Sequence, residues 1–166
     1  MFHTIKPEEL TKNPFTMIGK EWLLVTAEKE GKVNTMTASW GGVGIMWGKP
    51  VVSIYLRPQR YTKEFVDASA VFSLSVLGEE YRKTLSYLGS VSGRNEDKLT
   101  KSGLTVVHDG NTPYFEEAGT VLICRKLYAQ EMKPECFLDP EPEQKWYPDR
   151  DYHTMYLAEI EKILVK

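Results

Sequence analysis

A barrel-like antiparallel β-sheet with short helices is the fold predicted for this chain of 166 residues. Six or seven segments alternate or run apolar over strand lengths, and only three stretches read as helices, all short. The strands do not alternate regularly with long helices, which disfavours a doubly wound parallel sheet. The length fits one domain over residues 1–166 with a real core.

Taken in order, residues 1–20 carry Pro7 and Pro14, show little periodicity, and are read as a leader without regular structure. From Trp22 to Lys29 the pattern is that of a strand, with Trp22, Leu24 and Thr26 on one face and Leu23, Val25 and Ala27 on the other. Glu30-Gly31-Lys32 should turn the chain so that Val33–Trp40 returns as a hairpin. Gly41, Gly42, Gly44 and Gly48 read as a glycine-rich turn. Val51–Arg57 is the next strand, with Val52, Ile54 and Leu56 facing one way and Ser53, Tyr55 and Arg57 the other.

A short helix is expected over Thr62–Ala68 with Thr62 at its N-cap. In the strand Val71–Val76, Phe72, Leu74 and Val76 point inward. A second helix spans Glu79–Leu88 and ends at Gly89 as C-cap. A Gly/Ser loop, 89–94, leads into a third helix over Asn95–Lys101, with Lys98 about one turn in. Strands follow at Leu104–His108, Thr120–Met132 and Tyr152–Val165, the first closed by an Asp109-Gly110-Asn111 turn. Lys133–Arg150, rich in Pro, Glu and Asp, is an ordered excursion or a mobile flap.

The totals exclude several classes. A net charge of −2 gives no basic footprint for nucleic acid, and no apolar run is long enough to span a membrane. The N-terminus lacks a signal-peptide layout, so a cytoplasmic protein with free thiols is expected. Cys124 should be buried mid-strand, and Cys136 should lie in a loop. His3, His108 and His153 show no metal spacing, so no metal site is expected. No GxSxG, Walker or GxGxxG pattern occurs. The acids, Asp149 and Asp151 among them, read as solvated charges.

The segment Asn34–Thr62 carries the chemical signal. Thr35, Thr37 and Ser39 and the glycines after them let a flat ligand approach the backbone. Arg57 and Arg60, followed by Thr62, suit an anionic group. Ser90, Ser92 and Gly93 can form a nest of N–H groups, with Lys98 as a point charge. Together these needs match flavin mononucleotide: a clamp for the phosphate, hydroxyls for the ribityl chain, and backbone N–H groups for the ring edge. Trp40 either stacks on the ring or fills the core, and as a lone Trp the core is the first reading.

At NTMTASWGG, LRPQRYT and GSVSGRNEDK the sequence resembles the flavin reductase-like, FMN-binding split-barrel family, on its flavoredoxin branch. The YFEEAGTVLICRKLY segment and the C-terminal DYHTMYLAEIEKIL extend the likeness over nearly the whole chain. The resemblance implies a six-stranded Greek-key barrel with helices outside, and a homodimer with FMN near the subunit interface. It puts the ring-and-ribityl strand on Thr35, Met36, Thr37, Ala38, Ser39 and Trp40. The phosphate turn falls on Arg57, Pro58, Gln59, Arg60, Tyr61 and Thr62, and the small-residue loop on Ser90, Ser92 and Gly93, with Lys98 beyond. Cys136 departs from the pattern, which there has an acidic or polar residue.

The implied activity is oxidation of NAD(P)H by flavin, with no catalytic side chain because the chemistry belongs to the cofactor. The alternative is a flavoredoxin-like carrier that passes electrons to a redox protein partner. A cofactor-free interaction module is a third reading.

Overall fold

Two tight hairpins start the sheet. Glu30 and Gly31, with φ of 51° and 74°, form a two-residue turn between β2 (Leu23–Lys29) and β3 (Lys32–Ala38). Trp47 and Gly48, with φ of 52° and 68°, do the same between β4 (Gly41–Met46) and β5 (Lys49–Leu56). This backbone twist matches the right-handed twist of the strands it joins.

The computed structural model describes residues 1–166. Before β2 lie β1 (His3–Ile5) and α1 (Pro14–Thr16), the latter widening into a π-type turn at Met17–Glu21. After β5 come α2 (Tyr61–Ala68), β6 (Val71–Val76), α3 (Arg82–Ser90) and α4 (Lys98–Ser102). A small hairpin, β7 (Val106–Asp109) and β8 (Thr112–Phe115), precedes β9 (Thr120–Glu131). Then α5 (Pro140–Trp146) leads to β10 (Thr154–Val165). The main sheet runs β3-β2-β6-β9-β10-β5-β4, all pairs antiparallel, with β1 also on β10.

β3 and β4 stand at opposite edges of that order yet are joined by only Ser39 and Trp40. The sheet must therefore curl until its edges meet, although no ladder joins them. The result is a split barrel. Six strands, β2, β3, β5, β6, β9 and β10, put alternate side chains into its core, among them Val25, Met36, Ile54, Leu74, Cys124 and Tyr156. Phe65 and Val66 of α2 join them. A second cluster lies outside the barrel, where Leu85 and Leu88 of α3 cover Leu24, Val121 and Ile123. No helix is long and apolar enough to cross a membrane.

Several expectations need correction. Gly41, Gly42 and Gly44 belong to strand β4 and not to a turn, with Gly41 packed at the barrel's closing edge, whereas Gly48 does lie in a turn. Gly41 has φ of 156°, and a Cβ there would sit 2.6 Å from the Ser53 carbonyl oxygen. Residues 1–20 are not featureless, since β1 pairs with β10. Thr62 is not the cap of α2: the helix starts at Tyr61, and Thr62 is buried, its Oγ1 accepting from Asn34 Nδ2 at 2.9 Å. α3 runs past Gly89 to Ser90, so Gly89 is not its cap. Cys124 is buried in the core, as its mid-strand position predicts, and Cys136 is exposed.

Gly41→Ala should lower stability by about 1–3 kcal/mol, because the clash is with backbone and no side chain can move aside. The urea midpoint measures it, and a wild-type midpoint would refute the close packing.

Candidate functional site

The corner where the barrel closes is also where a cavity opens. This cavity, of about 280 Å³, is lined by Met36, Thr37, Ala38, Ser39 and Trp40 of β3 and the corner, by Tyr55 of β5 and Arg57 just after it, and by Arg60, Gly89, Trp146 and His153. The stretch Thr37–Trp40, if extended, spans about 10 Å, so its two ends meet different surroundings.

At the Thr37 end, β3 meets the last turn of α3. Thr37 Oγ1 donates to the Leu85 carbonyl at 2.5 Å. A Cβ on Gly89 would lie 3.0 Å from Thr37 Cβ, so glycine lets the helix end approach the strand. Arg60 Nη1 donates to the Gly89 carbonyl at 2.8 Å, and no carboxylate pairs with this guanidinium. Burial pushes its pKa below the usual arginine value, which marks a partly desolvated cation. Lys98, 3% exposed, starts α4 and donates to the Leu88 and Val91 carbonyls, each at 2.8 Å. Burial, and the neighbouring Arg60 charge, lower its pKa to about 8. These cations sit where the carbonyl end of a helix would otherwise repel an anion.

At the Trp40 end the surroundings are aromatic. The Trp40 ring meets Trp146 edge-on, with centroids 4.9 Å apart and planes at 87°. His153 lies 5.2 Å from Trp40 on another side. Trp40 is 38% exposed, so it walls the cavity and is not a core residue.

Trp146 ends α5, which the excursion between β9 and β10 carries over the cavity. Arg57 fastens that excursion. Its Nη2 donates to the Trp146 carbonyl at 2.9 Å, and its Nη1 pairs with Asp151 Oδ1 at 3.0 Å. The guanidinium also lies 4.9 Å from the Tyr147 ring centre. Asp151 accepts from Gln59 Nε2 at 2.7 Å, and with the hydrogen bond from Gln59 and the Arg57 charge its carboxyl is held below the usual range. Asp151 is thus an ion-pair partner, not a freely solvated charge.

Of the residues singled out by sequence, Met36, Thr37, Ala38, Ser39, Trp40, Arg57 and Arg60 come together at this cavity. The others do not line it. Thr35 is buried within the hairpin, its Oγ1 donating to the Val25 carbonyl at 3.0 Å. Pro58 and Gln59 lie in the turn before α2, and Tyr61 and Thr62 begin the helix itself. Ser90 ends α3, and Ser92 and Gly93 follow it, where a Cβ on Gly93 would meet Asn34 Oδ1 at 2.3 Å. Tyr55, Gly89, Trp146 and His153 line the cavity without having been singled out. Tyr55 carried a signal by sharing a strand face with Arg57, and Gly89 by opening the Gly/Ser loop.

Residues 17–166 match the family model described as flavin reductase like domain. An uncharacterized protein of Aeropyrum pernix is 30% identical over 112 residues, covering 67% of this chain and 40% of that protein. The chain spans less than half the length of the curated relatives it matches. Among solved structures, an FMN-binding domain of a flavin reductases-like enzyme from Shewanella baltica superposes with a TM-score of 0.72 at 17% identity, covering 99% of this chain and 77% of that one. Flavoredoxin of Desulfovibrio vulgaris (Miyazaki F) gives 0.69 at 22%, covering 98% and 76%.

His153 supplies a pH test of the aromatic end. Burial, and the nearby Arg57 charge, lower its pKa from 6.5 to about 4, and its Nδ1 meets Tyr147 Oη at 2.6 Å. Between those values the unfolded chain binds a proton that the folded ring does not, so stability should fall as pH drops from 6.5 toward 4. His153→Gln should flatten that limb in thermal melts taken across the window, and an unchanged slope would refute the neutral buried ring.

Proposed function

The chain belongs to the flavin reductase-like family, and from that premise we propose an FMN-binding oxidoreductase of flavin reductase type that moves electrons from NAD(P)H to flavin. The observation that carries the reading is the cavity along Met36–Trp40, with a cation unpaired by any carboxylate at one end and aromatic rings at the other. That donor set suits a flat ring with a phosphate tail. FMN, when bound, would supply the redox chemistry through its ring.

The chain's own residues bind, orient and shield. The extended backbone from Met36 to Trp40 offers peptide groups along the cavity floor, and Thr37 and Ser39 add hydroxyls. Arg60, which lines the cavity with no acid to neutralise it, would hold the phosphate. Trp40 and Trp146 keep water from the aromatic end. Lys98, through the carbonyls it caps, holds the loop that carries Ser90, Ser92 and Gly93. No side chain acts as acid or base. A nicotinamide would approach along the cavity's open side.

A homodimer fits the free outer edge of β4, where Ile45 is 75% and Trp47 55% exposed. Light scattering at micromolar concentration should return twice the chain mass. Free thiols and the family's redox chemistry suit a cytoplasmic setting.

A second reading is a flavoredoxin-like carrier that keeps FMN and passes electrons to a redox protein partner, favoured by the likeness to the Desulfovibrio vulgaris flavoredoxin. Anaerobic mixing of the FMN-loaded protein with NADH or NADPH separates the two. Bleaching of the flavin band within turnover times supports the reductase, and an unreacted band supports the carrier. Arg60→Ala should weaken FMN binding by about 1.5–3 kcal/mol, the scale of a charge-assisted hydrogen bond, and leave riboflavin binding nearly unchanged. Wild-type FMN affinity in a calorimetric titration would remove Arg60 from the phosphate.

A further inference from the structure

Two arginines border the cavity, and their surroundings differ. Arg60 has a single backbone acceptor and no carboxylate beside it. The Arg57 guanidinium is occupied on several sides: by Asp151 Oδ1 at 3.0 Å, the Asp151 carbonyl at 3.4 Å, the Trp146 carbonyl at 2.9 Å, and the Tyr147 ring at 4.9 Å. An anion brought to Arg57 would also be brought to the Asp151 carboxylate, so the pair offers little net attraction to a dianion. The fork geometry of arginine is what lets one side chain hold both a carboxylate and a carbonyl.

The partners of Arg57 all belong to one segment. Trp146 ends α5, and Asp151 and Tyr147 lie between α5 and β10. The same stretch puts Trp146 edge-on to Trp40 and stacks Tyr147 on Tyr152, with centroids 5.1 Å apart. Gln59 ties Asp151 to the turn before α2. Without Arg57, the C-terminal carbonyl end of α5 and the Asp151 carboxylate would both lose their cation.

We propose that Arg57 and Asp151 are a positioning pair, a latch that holds α5 and Trp146 against Trp40 to form one wall of the flavin pocket, and that Arg57 is not a phosphate ligand. This rests on the flavin reading above. The latch acts on the pocket's shape, so its loss weakens every flavin equally, whether or not a phosphate is present.

The test compares FMN with riboflavin, which lacks the phosphate, in calorimetric titrations of wild type, Arg57→Ala, Arg57→Lys, Asp151→Asn and Arg60→Ala. Arg57→Ala and Asp151→Asn should weaken both flavins by the same factor, on the order of tenfold, leaving the FMN:riboflavin affinity ratio within about twofold of wild type. Arg57→Lys should rescue little, because an ammonium cannot hold both acceptors in the fork. Arg60→Ala should lower the ratio. In parallel, limited trypsin digestion of the flavin-free proteins should cut faster after Lys145 in both latch variants, with thermal melts verifying that each is folded.

Loss of FMN affinity with riboflavin spared in Arg57→Ala would overturn the latch, as would tighter FMN binding in Asp151→Asn. If wild type binds neither flavin, the functional reading fails. Trypsin cleavage then still decides the latch, and unchanged rates at Lys145 in both variants refute it.

Discussion

The barrel closes through two residues. Ser39 and Trp40 join strands that lie at opposite ends of the sheet order, so the sheet can exist only if it curls through a full circuit. The side-chain-free edge at Gly41, 2.6 Å from the Ser53 carbonyl in Cβ terms, is what permits the last approach. Because the seam is a corner and not a ladder, its backbone is not consumed by strand pairing. A cavity at this seam is therefore a product of closure itself, and the residues that close the barrel are the same ones that face it.

Helix ends supply the electrostatics. The carbonyls of Leu88, Gly89 and Val91 at the end of α3 form a partial negative charge beside the cavity. Lys98 and Arg60 answer that charge from two sides. The Trp146 carbonyl at the end of α5 is answered by Arg57. Each helix that borders the cavity by its C-terminus is thus paired with a buried or half-buried cation, and of Arg57, Arg60 and Lys98 only Arg57 is committed to an acid.

Much of this was legible in the chain. Period-two alternation grouped Leu23 with Val25 and Val52 with Ile54 on shared faces and pointed Phe72 and Leu74 inward, and all six lie in the barrel core because one face of each strand is buried. The glycines of β4 misled, since a strand whose side chains are missing has no alternation to read. Local motifs found Met36–Trp40, Arg57 and Arg60, which are close in sequence and stay close in space. Trp146 and His153 were out of reach, because a fold of antiparallel long-range pairs brings them to Trp40 from about a hundred residues away, with no local pattern to mark them. Thr62 and Lys98 had the chemistry of ligands in the sequence, but burial turned one into a partner for Asn34 and the other into a helix-end cap.

The two cysteines differ in a way that can be put to use. Cys124 is sealed in the barrel and its thiol is pushed far up by burial, so it is inert to alkylating reagents in the native state. Cys136 is exposed, in the same excursion that carries Trp146. The wild-type molecule thus presents one addressable sulfur, and a maleimide dye or nitroxide attached there would report on motion of that segment without any change to the sequence.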